Sequence, residues 1–243
     1  GRVRVIDINT GEPVKNVEWR STEYDGHTII NLCNYTWSEN KEVYITVDGK
    51  CVSDAYDLKS SEELSGLITL NSYEPRLIRV DEKSDKFFED VKGHWAQDYI
   101  ERMSLRGILS GVGNNMFMPD KSISAQELLM ALIKYNGYEC DYAKVFETAQ
   151  RLWNIDEKFF EKSELTREEV AMLICAACSV NGKNSDISFF EDAGEISPDA
   201  YSAVAALYEM KAMTGRSDVT INPKDIFTRA EAVTVLSRLQ KGI

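Results

Sequence analysis

Arg167 and Arg229 each follow a threonine and stand two residues before a glutamate, in the stretches LTREE (165–169) and FTRAE (227–231). Thr166 with Glu169, and Thr228 with Glu231, have the S/T-x-x-E spacing that opens a helix. In this box the hydroxyl accepts from the N3 backbone N–H, and the glutamate reaches back to the N–H of the capping residue. Ser124 with Glu127 repeats the spacing. These six residues read as structural caps, each hydroxyl contributing on the order of 1 kcal/mol. The box needs no arginine, and the first turn of a helix mildly disfavours a cation. Two uses fit: a solvated surface charge, or a site where the guanidinium and free backbone N–H groups at the helix start grip a carboxylate. In SISAQE (122–127), Ala125 stands in the arginine's place, so the first box supplies no such cation.

Other chemistry-bearing residues gather near KGHWA (92–96). Trp95 suits either stacking on a sugar face or packing at the head of a helix. Lys92 and His94 flank it; His94 has no His or Cys cluster beside it that would make a metal site. Asp90 and Asp192 follow paired phenylalanines and read as cap-like turn residues or ligand contacts. A later stretch, PDAYSAV, puts Asp199 in the place of Trp95, so Trp95 is expected to be the sole aromatic of its kind. One or two working sites are therefore expected, not three. Cys175-x-x-Cys178 lies within an apolar helical pattern without a second pair, and reads as a structural pair. The five cysteines are scattered and show no disulfide framework. No metal or cofactor is expected.

The elements that must position these residues fall into two halves. Residues 1–82 carry short, β-branched and aromatic runs separated by Asp25-Gly26, Asp48-Gly49 and NSYEP, a pattern of seven or so strands in an antiparallel sandwich. Trp19 and Trp37 there suit a sugar platform or sheet-face packing. The charged run DEKSDK (81–86) reads as a linker. Beyond it the apolar period is helical: Val170, Leu173, Ile174 and Ala177 share a face, as do Ala232, Val233, Leu236 and Leu239. FFED recurs at Phe87 and Phe189, and the three capping boxes reveal a middle copy without that front signature. Each helix–loop–helix unit is too small to bury its own face, so three must pack together. The boundaries read as 1–82, 83–138, 139–184 and 185–243.

The chain has 243 residues, 43% hydrophobic, with net charge −12 and pI near 4.8. That acidity argues against nucleic acid as a partner, since phosphate binding wants a basic face. No apolar run approaches the roughly 20 residues that cross a bilayer, so no membrane partner is expected. The chain opens inside a strand pattern, as a piece of a longer protein would. There is no P-loop, dinucleotide fingerprint or Ser–His–Asp order, and no carboxylate pair stands out, so the chain is not expected to be an enzyme itself.

The stretch FFEDVKGHWAQDYIERMSLRGILSG…MFMPDKSISAQE, with LTREE and FTRAE, resembles the S-layer homology (SLH) domain family over about residues 87–243. The family pattern is F-x-D-V, H-W-A, G-I-x-x-G, F-x-P, I-T-R-A-E. The resemblance implies a pseudo-threefold helical trimer of repeats with a central bundle and grooves between the prongs. It implies non-covalent anchoring to a pyruvylated secondary cell-wall polysaccharide in a Gram-positive-type wall, with Arg229, Arg167, Trp95, Asp90 and Lys92 as ligand-binding candidates. The first half is similar to the β-sandwich that closes some secreted, β-galactosidase-like glycoside hydrolases. Such a resemblance implies the accessory region of a surface-displayed enzyme; the alternative is a structural S-layer lattice protein.

Overall fold

A computed structural model describes residues 2–84, 88–180 and 186–239, with the side chains of residue 65 and residues 82–84 left aside. The end of the expected linker, Phe87 and the 184/185 boundary lie outside the described residues. The chain divides into two compact units, Gly1–Lys92 and Gly93–Ile243.

The first unit is all antiparallel β, as the strand patterns predict. Its strands are β1 (Val3–Asp7), β2 (Val17–Tyr24), β3 (His27–Asn34), β4 (Lys41–Val47), β5 (Lys50–Asp57), β6 (Glu62–Ser65), β7 (Ile68–Leu70) and β8 (Pro75–Ser84). They form one connected sheet in the order β1-β4-β5-β8-β3-β2, with β6 on β5 and β7 on β4, curled into a near-barrel sandwich. Both Asp-Gly dipeptides make two-residue hairpin turns. Asp25 (φ 51°) with Gly26 (φ 77°), and Asp48 (φ 54°) with Gly49 (φ 80°), sit in the left-handed region that such turns need to match strand twist. The inward positions Val5, Ile30, Leu32, Val43, Ile45 and Ile78 are fully buried. The two tryptophans part company: Trp19 packs against this core, while Trp37 is 80% exposed.

The second unit holds three helix pairs: α1 (Gln97–Leu105) with α2 (Ala125–Tyr135), α3 (Val145–Trp153) with α4 (Arg167–Cys178), and α5 (Tyr201–Glu209) with α6 (Arg229–Leu239). The packing is cyclic. Each second helix lies against the first helix of the next repeat, α2 on α3, α4 on α5, and α6 back on α1. The residue before each box, Ile123, Leu165 or Phe227, is fully buried. Ile123 donates its N–H to the carbonyl of Phe227 (3.0 Å), and Phe227 donates to Leu165 (2.8 Å). The helix starts therefore knit the repeats together at the middle. Both helix faces expected to be apolar are buried. The Cys175 and Cys178 thiols lie in α4, and burial pushes them up to about 12 and about 11, so both are neutral thiols at ordinary pH.

Candidate functional site

All three capping boxes form. Glu127 donates its N–H to Ser124 Oγ (3.2 Å), Glu169 to Thr166 Oγ1 (3.4 Å) and Glu231 to Thr228 Oγ1 (3.2 Å). One oxygen of each glutamate accepts the N–H of its own cap in return. The other oxygen points outward, a role the spacing alone did not reveal. Glu127 Oε1 accepts from Arg229 Nη1 (2.5 Å), Glu231 Oε1 accepts from Arg167 Nη1 (3.2 Å), and Glu169 Oε1 accepts from Lys162 Nζ (2.6 Å).

The arginines are inter-repeat clamps, not solvated charges. Arg229, 1% exposed, donates through Nε to the Phe117 carbonyl (2.9 Å) and through Nη2 to that of Ser110 (2.7 Å), with its guanidinium 4.6 Å from the Phe117 ring centroid. Arg167, 4% exposed, makes the same set one repeat along: Nε to Ile221 O (3.0 Å), Nη2 to Thr214 O (2.7 Å), and the Phe227 ring 5.6 Å away. Burial lowers the pKa of Arg167, with Glu231 opposing and Arg216 adding to the shift. The expected free N–H groups at these helix starts are absent. Arg167 and Glu168 donate to the Asp225 and Pro223 carbonyls, and Arg229 and Ala230 to those of Lys121 and Pro119. The proline-bearing loop of the next repeat thus occupies the helix-start donors that an anion would need.

Two grooves flank these clamps. The first, about 230 Å³, is lined by Trp95, Arg167, Thr214, Gly215, Arg216, Phe227, Glu231 and Arg238 among others. The second, about 380 Å³, is lined by Ser110, Gly111, Val112, Glu127, Lys134, Tyr142 and Arg229. Their walls correspond at constant spacing: Ser110 with Thr214, Gly111 with Gly215, Val112 with Arg216, Glu127 with Glu231, Lys134 with Arg238. Each groove takes its arginine from the preceding repeat and its aromatic from the following one. Tyr142-Ala143 is thus the counterpart of Trp95-Ala96, which corrects the expectation that Trp95 has no equivalent. The middle repeat joins its helices by a shorter loop, which shifts Tyr142 out of register in the sequence; the following alanine was the available signal. In the third position Ala125 replaces the arginine and Asp199 the aromatic; Lys162 takes Glu169, and Asp199 pairs with Lys158 at 3.4 Å.

The grooves differ in charge. The first sets Arg167, Arg216 and Arg238 around Glu231, with Arg216 Nη1 2.8 Å from the carboxylate and 40% exposed. The second has Arg229 and Lys134 around Glu127, and Val112 where the first has Arg216. Trp95 is 60% exposed, its ring 5.4 Å from that of His94, whose Nε2 lies 3.2 Å from Asp120. Gly215 is required by a close approach: a Cβ there would meet the Ser217 carbonyl oxygen at 2.4 Å and that of Thr220 at 2.7 Å. Asp90 and Lys92 belong to the first compact unit, whereas both grooves are built by residues of the second. Asp192 does not cap the short helix that follows it; it accepts from the Ile221 (2.9 Å) and Asn222 (2.6 Å) N–H groups and ties that loop down.

Known proteins resemble this chain in sequence. The S-layer homology domain model matches residues 87–128 and 189–233. The chain is 27% identical over 175 residues to the exoglucanase XynX of Acetivibrio thermocellus, covering 63% of this chain and 16% of that protein. It is 26% identical over 173 residues to an amylopullulanase of Thermoanaerobacterium thermosulfurigenes, covering 63% and 9%. An endoglucanase of Bacillus sp. (strain KSM-635) is 24% identical over 181 residues, covering 65% and 19%. The chain thus spans less than a fifth of the length of these relatives. The two matched stretches fall on the first and third helix pairs, and the middle pair lies between them in the ring.

Proposed function

We propose that this chain is a non-covalent anchor, holding an exported protein to a cell wall of the Gram-positive type through a secondary wall polysaccharide. The reading rests on the first groove, where an exposed indole stands beside three guanidiniums and one carboxylate. Trp95 offers its face to a pyranose ring. Arg216, with the outer N–H groups of Arg167, offers a fork for a carboxylate such as a pyruvate ketal. The internal bonds of Arg167 hold that fork in place, so little side-chain freedom is lost on binding. The second groove, with one arginine and Val112, binds the polymer more weakly. The chain performs no chemistry of its own in this reading. The protein it anchors is a polysaccharide-degrading enzyme, as the names of the similar proteins suggest.

Co-sedimentation with purified wall sacculi tests this. The chain should pellet with intact walls and stay in solution once the secondary polysaccharide is stripped; equal pelleting with stripped walls rejects the proposal. Trp95→Ala and Arg216→Ala, both at exposed positions, should each weaken pelleting at least about tenfold. Walls freed of pyruvate should lose the dependence on Arg216 while keeping that on Trp95.

A further inference from the structure

The β unit carries a second cluster that wall anchoring does not use. Trp37 (80% exposed), Tyr73 (52%) and Tyr35 (49%) stand together on two loops. The Tyr73 ring lies 5.9 Å from that of Trp37 and 6.1 Å from that of Tyr35, edge to face in both cases. Three large rings left in water cost hydrophobic free energy that a purely structural surface has no reason to forgo.

The loops that hold them are fixed from beneath. Asn34, fully buried, donates through Nδ2 to the Glu39 (2.8 Å) and Leu70 (3.0 Å) carbonyls, and its Oδ1 accepts the Thr36 N–H (2.9 Å). Its own carbonyl accepts the Tyr73 N–H at 2.7 Å, and Ser72 Oγ accepts the Glu39 N–H at 3.0 Å. Tyr73 itself sits at φ 55°, a left-handed conformation that disfavours a bulky residue. The chain holds a strained backbone there and directs the ring to solvent, the kind of outlier that gathers at ligand sites. Tyr35 continues into a shallow groove of about 290 Å³ lined by Glu18, Trp19, Arg20, Asn31 and Cys33.

We infer that this surface is a binding site for a neutral polysaccharide chain. Exposed rings on fixed loops match the C–H faces of successive pyranoses, and Glu18, Arg20 and Asn31 offer planar groups that bond to vicinal hydroxyls in pairs. Glu18 lines the groove and Glu74 adjoins Tyr73, and these carboxylates disfavour an acidic polymer. A protein partner needs about 800 Å² of contact per side, more than a strip of three rings rimmed by carboxylates supplies. This site is independent of the helical grooves, and either can fail without the other.

Native affinity electrophoresis of the full chain in gels containing hydroxyethylcellulose, pullulan or neutral arabinoxylan tests the inference. At least one polymer should retard the protein. Trp37→Ala should weaken that retardation about tenfold, the scale of one stacked ring. Tyr73→Gly should weaken it similarly while holding or raising stability, because glycine accepts the positive φ. Tyr24→Ala, another exposed aromatic outside the cluster, should leave it unchanged. No retardation in any of the three polymers overturns the inference. So does retardation that survives both Trp37→Ala and Tyr73→Gly, or concentration-dependent self-association that Trp37→Ala abolishes.

Discussion

The Glu127 carboxylate serves two helices at once, and this is what the arginine of the motif is for. One oxygen closes the cap of α2, and the other receives Arg229 from α6. Arg229 is buried and Glu127 half-buried, so removing the arginine leaves a partly desolvated carboxylate and two buried carbonyls without their partner, which costs about 3 kcal/mol. Arg229→Ala should therefore lower the unfolding free energy of the helical unit by about 3 kcal/mol in urea titration. Arg229→Lys should recover little, because an ammonium cannot match three acceptors set out for a planar fork. A double substitution of Arg167 and Arg229 would abolish wall binding through lost folding alone, which makes Arg216 and Trp95 the sharper probes of ligand contact. In the β unit, fully buried Asp57 plays a comparable part. Burial alone would raise its carboxyl, but N–H bonds from Lys59 and Ser60 and the Arg76 guanidinium outweigh that and hold it below the usual range. The folded state thus binds this proton less tightly than the unfolded chain. The stabilisation is complete above about pH 5 and is lost as pH falls through the depressed value. Asp57→Asn should flatten the acid limb of the β unit's stability curve and cost about 3 kcal/mol at neutral pH.

At the scale of elements, two hairpin turns and three helix starts are legible in the sequence. The Asp-Gly pairs set both hairpin turns through local backbone preference, and the three boxes fixed the starts of α2, α4 and α6 through local hydrogen bonds. What could not be read was long-range. The acceptors of Arg229 lie more than a hundred positions away, at Phe117 and Ser110. Spacing near a helix start says nothing about carbonyls brought in from another repeat. That is why the helix N-termini looked free when Lys121, Pro119, Asp225 and Pro223 in fact fill them. The third link, where Ala125 replaces arginine, shows what the clamp is worth. Lys162 meets Glu169 there with its side chain 39% exposed. Such a pair contributes about 0–1 kcal/mol. Lys162→Met should shift the urea midpoint little, against a shift several times larger for Arg229→Ala; comparable shifts would mean that the clamp is not the stronger link. Gly215→Ala tests the loop between α5 and α6. Its Cβ has no room beside two backbone carbonyls, so the loop must move, costing about 1–3 kcal/mol and reducing wall binding through the first groove.

The helical unit as a whole closes on itself, and closure makes it a single folding unit and not an open solenoid. In a linear array each repeat touches only its neighbours and stability builds up repeat by repeat. Here α6 returns to α1, and the acceptors of the middle repeat's Arg167, namely Thr214 O, Ile221 O and Glu231, all sit in the third repeat. Removing residues 186–243 would strip α1 of its partner helix, leave Arg167 buried without its acceptors, and expose Ile123 and Leu165 where Phe227 covered their backbone groups. The shortened chain, 1–185, should keep its β signature in circular dichroism but lose the helical one, with no cooperative helical transition on heating. A stable two-repeat remnant would show that the ring is dispensable and that the repeats stack as independent modules. The same closure explains why two good grooves coexist with a degenerate third. Each groove draws on all three repeats, so the middle repeat, whose own groove has Ala125 in place of the arginine and Asp199 in place of the aromatic, still serves its neighbours: Arg167 in one groove, Tyr142 in the other. Tyr142→Ala, in the repeat without the front signature, should accordingly weaken polysaccharide binding at the groove built on Glu127 while leaving the Trp95 groove intact. Titration of a wall-derived oligosaccharide should show this as loss of the weaker of two sites; loss of the tighter site would reverse the assignment of the grooves.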